Sequence, residues 1–113
     1  MMKLKELAGL LSLNVLQSQG NFDVDVTGGY SGDLLSDVMG NAKERSIWVT
    51  CQTHENIVAV ARLKNLAAII LVNGRKPEDA TLGKAREEGV IILGTPDSAF
   101  TVTGVLFGHL GRK

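Results

Sequence analysis

Four short apolar runs punctuate the chain: "FDVDVT" at 22–27, "IWVTC" at 47–51, "AAIILV" at 67–72 and "VIILG" at 90–94. Each is followed by residues patterned for a helix. The last two runs are continuous and β-branched, as strands buried on both faces tend to be, whereas "FDVDV" alternates and predicts a wet face or a place toward an edge. Spacings of a little over twenty residues leave room for a helix and two turns between strands, which is what a parallel crossover needs. Ahead of these runs, "KLKELAGLL" reads as a short amphipathic helix. "SLNVLQ" reads as a further short strand, at an edge and open to antiparallel pairing. The predicted fold is α/β: a single domain over 1–113, with a mostly parallel sheet of about five strands and helices on both faces.

Start and stop signals support that order. Asp33 is placed to cap a helix carrying Leu34, Leu35, Val38, Met39 and Ala42 on one stripe. Thr53 is placed to cap "HENIVAVARLKN". In "NGRKPEDA" an Asn-Gly turn precedes Pro77 at a first helical position, with Glu78 and Asp79 in the first turn and Gly89 as the stop. Asp97 or Ser98 opens "AFTVTGVLFGHLG".

Length and composition narrow the function classes. At 113 residues the chain is the size of one domain, and 44% hydrophobic with 21% charged residues places it among folded globular proteins. Twelve basic residues balance twelve acidic ones, so no global field draws it to nucleic acid or an anionic membrane. Aromatics, at 4%, are too sparse to stack on bases beside Arg62, Lys64, Arg75 and Lys76. No run reaches the roughly 20 apolar residues of a membrane span. The single Cys51 cannot form an internal disulfide, and two histidines, His54 and His109, give no metal-ligand spacing, so a reduced, cytoplasmic setting without metal or other cofactor is expected.

In open α/β sheets ligands sit beyond the carboxyl ends of the strands. "VTGGYSGDLLSDVM" is the first such junction, and it fails as a phosphate cradle. Three residues separate Gly28 from Gly32, no Lys or Arg occurs between Asn21 and Asn41, and Asp33 and Asp37 carry the wrong charge. Gly28, Gly29, Tyr30 and Asp33 remain candidates for gripping a ligand's neutral edge, or a phosphate through bridging Mg²⁺. The alternative is that the glycines serve backbone geometry alone. "TCQTHEN" is the most polar junction, and Gln52, Thr53, His54 and Asn56 are candidate ligand contacts. The bland alternative there is a buried Cys51, a capping Thr53 and an exposed His54. "NGRKPED" brings Arg75 to the same edge as a candidate anion contact, or as part of a solvated turn. No catalytic residue is assigned, since a thiol needs an adjacent base and sequence does not bring Cys51 to His54. Trp48 is read as core or interface, and His109 as a partner of a helix C-terminus. "NIVAVARLKN" is apolar all round, and with "FTVTGVLFGHL" it suggests more sticky surface than a monomer covers, hence a homodimer.

The run from Val26 to Thr95, with "GGYSGDLLSDVM", "QTHENIVAVA" and "IILVNGRKPED" as its specific stretches, resembles the DRTGG domain over essentially the whole chain. The residues of that name stand here as Asp25-Val26-Thr27-Gly28-Gly29, with Val26 in place of the arginine. "LKELAGLLSLNVL" is similar to the start of the non-catalytic N-terminal domain of HPr kinase/phosphorylase. The resemblance implies an accessory, non-catalytic module of the kind fused to CBS domains in regulated pyrophosphatases. There it helps form a dimer and relays a nucleotide signal to a partner enzyme. It carries no kinase activity, because the P-loop of HPr kinase lies in a domain that this sequence lacks.

Overall fold

The computed structural model describes residues 1–111. The element order is β1 (Met2–Lys3), α1 (Leu4–Leu10), β2 (Asn14–Gln17), β3 (Asp25–Val26), β4 (Gly29–Ser31), α2 (Leu35–Asn41), β5 (Ile47–Thr50), α3 (Asn56–Lys64), β6 (Ala68–Leu71), α4 (Asp79–Glu88), β7 (Ile92–Gly94) and α5 (Ala99–Leu110).

The main sheet has five strands in the order β2-β7-β6-β5-β4, parallel throughout except for the antiparallel edge pair β2–β7. Period-2 alternation sends two apolar sets to opposite faces. Ile47, Val49, Ala68, Ile70 and Leu93 meet Leu4 and Leu7 of α1 and Val102 and Leu106 of α5. Trp48, Ile69, Leu71 and Ile92 meet Val38 and Ala42, the α3 residues Ile57, Val58, Val60 and Ala61, and Ala85 of α4. The three crossovers β4-α2-β5, β5-α3-β6 and β6-α4-β7 all step in one direction across the sheet. Crossovers of one hand stepping one way deposit their helices on one face. The parallel strands therefore never reverse order, and the crevice that a reversal opens between crossovers is absent from this topology.

Several elements depart from the sequence reading. "FDVDVT" is not a strand of the main sheet: only Asp25–Val26 is extended, and it pairs with Met2–Lys3 in a separate two-stranded ribbon. The edge strand of the main sheet is instead Gly29–Ser31, formed within the glycine stretch that read as a turn. Gly28 accepts from the Ile47 N–H at 2.9 Å, which starts the pairing at the first available backbone. The stripe assigned to α2 buries Val38 and Ala42, while Leu34 and Met39 stay 69% and 38% exposed. Ile57, Val58, Val60 and Ala61 of α3 find their partners within the chain, on the sheet and on flanking α2 and α4, while Leu63 stays 74% exposed.

The turn after β6 is specified by residue type. Asn73 and Gly74 take φ of 58° and 66°, the left-handed values that Asn tolerates and Gly adopts freely. Their N–H groups donate to Asp97 O and Thr95 O, both at 2.9 Å, which stitches this turn to the chain leaving β7. Helix α4 starts at Asp79 rather than at Pro77 and stops at Gly89 with φ 71°. Ser98 caps α5 by accepting from the Thr101 N–H at 3.2 Å.

Candidate functional site

The carboxyl ends of β4 and β5 are joined by one side chain. Asp33 Oδ1 accepts from the Thr50 hydroxyl at 2.7 Å and from the Cys51 N–H at 2.9 Å. The Thr50 oxygen accepts in turn from the Gln52 N–H at 3.2 Å, and the Gln52 amide donates back to Asp33 O at 3.0 Å. The result is a closed ring of polar contacts across two strand ends. It explains why Thr50, a polar residue only 2% exposed, is tolerated beside the core. Asp33 thus does not cap α2, whose N-cap is Leu34 without a side-chain bond. The Cys51 N–H, then the Thr50 hydroxyl, hold the Asp33 carboxyl below its ordinary value against an opposing push from burial, and Arg75 adds a favourable field.

That carboxylate works against nucleophilic chemistry at its neighbour. Burial first, then the hydrogen bond to Asp33 and its charge, raise the Cys51 thiol above its ordinary value. An activated cysteine needs the opposite environment. His54 turns its Nδ1 to its own chain and accepts from the Asn56 N–H at 3.1 Å.

The predicted ligand residues divide between the two ends of the sheet. Asp33, Gln52, Thr53, His54 and Arg75 lie on the loops that leave β4, β5 and β6 at the carboxyl edge, and Asn56 opens α3 there. Gly28 and Gly29 lie at the amino end of β4 and do not join them. Tyr30 sits mid-strand opposite Trp48, and its hydroxyl donates to Asp37 Oδ2. That hydrogen bond is the main reason its phenol is pushed up to about 12, with desolvation and the charges of Asp37 and Asp33 adding to it. Thr53 is not a cap either. Its carbonyl accepts from the buried Thr81 hydroxyl at 2.7 Å and from the Glu78 N–H at 3.2 Å, tying the loop after β5 to the start of α4. Trp48 is fully buried, with its indole N–H donating to Gly32 O at 2.8 Å, and His109 lies in the last turn of α5.

A cavity of about 90 Å³ runs between β4 and α5, lined by residues including Gly28, Gly29, Val49, Thr103, Leu106 and Leu110. It opens toward a groove of about 490 Å³ between Ser31 and the α5 residues Phe100, Thr103, Gly104 and Phe107. Thr103 donates to the Ser31 hydroxyl at 3.2 Å across this groove. Periodicity did not reveal it, because it depends on β4 being a strand. Among the described residues no three His, Cys, Asp or Glu side chains cluster as metal ligands, and no helix is long and apolar enough to cross a membrane.

Neither the protein-family models nor the curated proteins include a match to this chain. Among solved structures, one similar chain is the crystal structure of the CBS and DRTGG domains of the regulatory region of Clostridium perfringens pyrophosphatase, complexed with its activator diadenosine tetraphosphate. It superposes with a TM-score of 0.68 over 92% of this chain at 13% identity, and this chain spans 45% of its length. At that identity the likeness is one of fold: a single α/β domain with a five-stranded, mostly parallel sheet, of the DRTGG-like kind.

Proposed function

We propose that this chain is a non-catalytic regulatory module that binds a nucleotide at the carboxyl edge of its sheet and works as a homodimer, passing the bound state to a partner enzyme. The observation that carries this reading is the Asp33–Thr50–Cys51–Gln52 ring, on which Arg75 acts as a favourable charge. A carboxylate held ionised suits the hydroxyls of a ribose, and a guanidinium in its field suits phosphate. The fold it shares with a regulatory region crystallised with a dinucleotide activator supports the same reading. The raised Cys51 thiol and the self-satisfied His54 support a non-enzymatic role.

A thermal-shift panel of adenine and guanine nucleotides, each with and without Mg²⁺, tests it. A ligand at about a hundred times its Kd adds roughly 2.7 kcal/mol, or several degrees in a domain of this size. One nucleotide is expected to shift wild type, and joint replacement of Gln52, His54 and Asn56 by alanine is expected to remove that shift in a protein that still melts cooperatively. A flat panel sinks nucleotide binding. It would favour the second reading, a purely structural interaction domain acting on a partner enzyme, which the exposure of Phe100 (90%) and Leu34 (69%) supports.

A further inference from the structure

The outer edge of β4 has the geometry of a self-complementary surface. In a parallel pair, alternate residues turn both backbone groups toward the neighbouring strand. Gly28 O accepts from Ile47 N and Gly32 N donates to Val49 O, so Gly28, Tyr30 and Gly32 face β5. Gly29 and Ser31 therefore turn their N–H and C=O groups outward, where β4 has no neighbouring strand among the described residues. The opposite edge is different: β2 carries an irregularity between Val15 and Gln17, a device that blunts pairing. β4 itself carries no charged side chain; Asp33 beyond it is engaged with β5, and Asp37 of α2 accepts from the Tyr30 hydroxyl.

We infer that two copies of this chain pair antiparallel through β4, with Gly29 opposite Ser31 of the second copy and Tyr30 on the twofold axis, to make one continuous sheet. The inference rests on the homodimer in the proposed function and assigns its surface. In this register the two outward residues of each copy exchange both backbone hydrogen bonds, so every free group on the edge finds a partner. The register also brings the two α5 helices side by side, because α5 packs over β4 and β5. Phe100, Thr103, Gly104 and Phe107, spaced i, i+3, i+4 and i+7, form the stripe beside Ser31, and residues 99–108 include no Asp, Glu, Lys or Arg. Phe100 is 90% exposed and Phe107 52%. At about 150–250 Å² per aromatic side chain these two rings alone offer roughly 200–350 Å² per copy. They would form the apolar centre of an interface whose standard size is about 800 Å² per partner, with the bare strand edge beside them. The zero net charge of the chain sets no repulsion against a second copy.

Sedimentation velocity on the full chain tests the assignment. Wild type is expected at twice the monomer mass. Ser31→Pro, which removes an outward N–H without touching the β5 ladder, and Phe100→Glu, on a side chain already in solvent, are each expected to halve it. The Phe100→Glu protein is expected to keep its circular dichroism spectrum, so the result stands even where the proline variant fails to fold. In a Cys51→Ala background, Tyr30→Cys is expected to cross-link on mild oxidation. Facing residues of a non-hydrogen-bonded pair have Cα atoms about 4.5 Å apart, within the reach of a disulfide. Gly29→Cys, which faces Ser31 instead of itself, is expected to cross-link far less. A monomeric wild type, a dimer unmoved by Phe100→Glu, or a dimer with no Tyr30→Cys cross-link overturns the interface. A monomer that still shifts with nucleotide would remove this surface and leave ligand binding standing; a cross-linked dimer that no nucleotide shifts would do the reverse.

Discussion

Asp33 sits two residues beyond β4 and organises more backbone than any cap would. Its Oδ1 holds both the Thr50 hydroxyl and the Cys51 N–H, so the carboxylate is a bracket between two strand ends. Replacing it by alanine leaves the buried Thr50 hydroxyl without its acceptor, and the expected loss is about 1–3 kcal/mol in urea unfolding at neutral pH. The pH dependence has a definite sign. A carboxyl whose folded value lies below its unfolded value contributes stability above about pH 4, and that contribution disappears as pH falls through the folded value. Asp33→Asn is therefore expected to lose less stability than wild type on acidification below about pH 4. Parallel acid limbs for the two proteins would show that the bracket works without its charge.

At the scale of elements, the anchor least visible in the sequence is Gln17. It ends β2 at 5% exposure, donates its amide to Val90 O at 2.7 Å and Gln19 O at 3.1 Å, and accepts from the Gln19 N–H at 2.7 Å. It thereby fixes the irregular end of β2 against the chain that enters β7. Gln17→Leu keeps the volume and strands these backbone groups, so a fall of about 1–3 kcal/mol is expected in thermal or urea unfolding. An unchanged midpoint would mean that water replaces the amide. Gln17 was illegible because a lone glutamine has no periodicity and its partners lie on distant segments. The parallel run from β5 to β7 was legible because strands buried on both faces must be continuously apolar. The glycine stretch misled for a related reason: Gly29-Tyr30-Ser31 has too few apolar side chains to signal a strand, and its pairing is made by backbone alone. Asp33 and Gln52, read from two separate junctions, lie at one edge, where the Gln52 amide donates to Asp33 O. Gly28 and Gly29 were grouped with them only because a strand was mistaken for a turn.

For the molecule as a whole, the sequential order of β4 to β7 grades stability across the sheet. β5 and β6 are buried at every residue and have strands on both sides. The β1–β3 ribbon has two residues per strand, and its ion pairs Lys3–Asp25 and Lys5–Asp23 lie in solvent, where such pairs contribute little. Native-state hydrogen exchange is expected to find the β5 and β6 amides opening only with global unfolding and the ribbon opening earlier. Equal protection in both would show a single cooperative unit.

The Asn73–Gly74 turn also bears on how the chain ages. Asparagine followed by glycine deamidates when the glycine nitrogen attacks the side-chain amide carbon and closes a succinimide ring, and an exposed flexible loop allows that geometry freely. Here the attacking nitrogen belongs to Gly74, whose N–H is held by Thr95 O, while the Asn73 N–H is held by Asp97 O. The turn must let go of the chain leaving β7 before the ring can close. Covalent damage at this exposed pair is therefore gated by the same fluctuation that would loosen the carboxyl edge, and the molecule's chemical shelf life is tied to the rigidity of that edge.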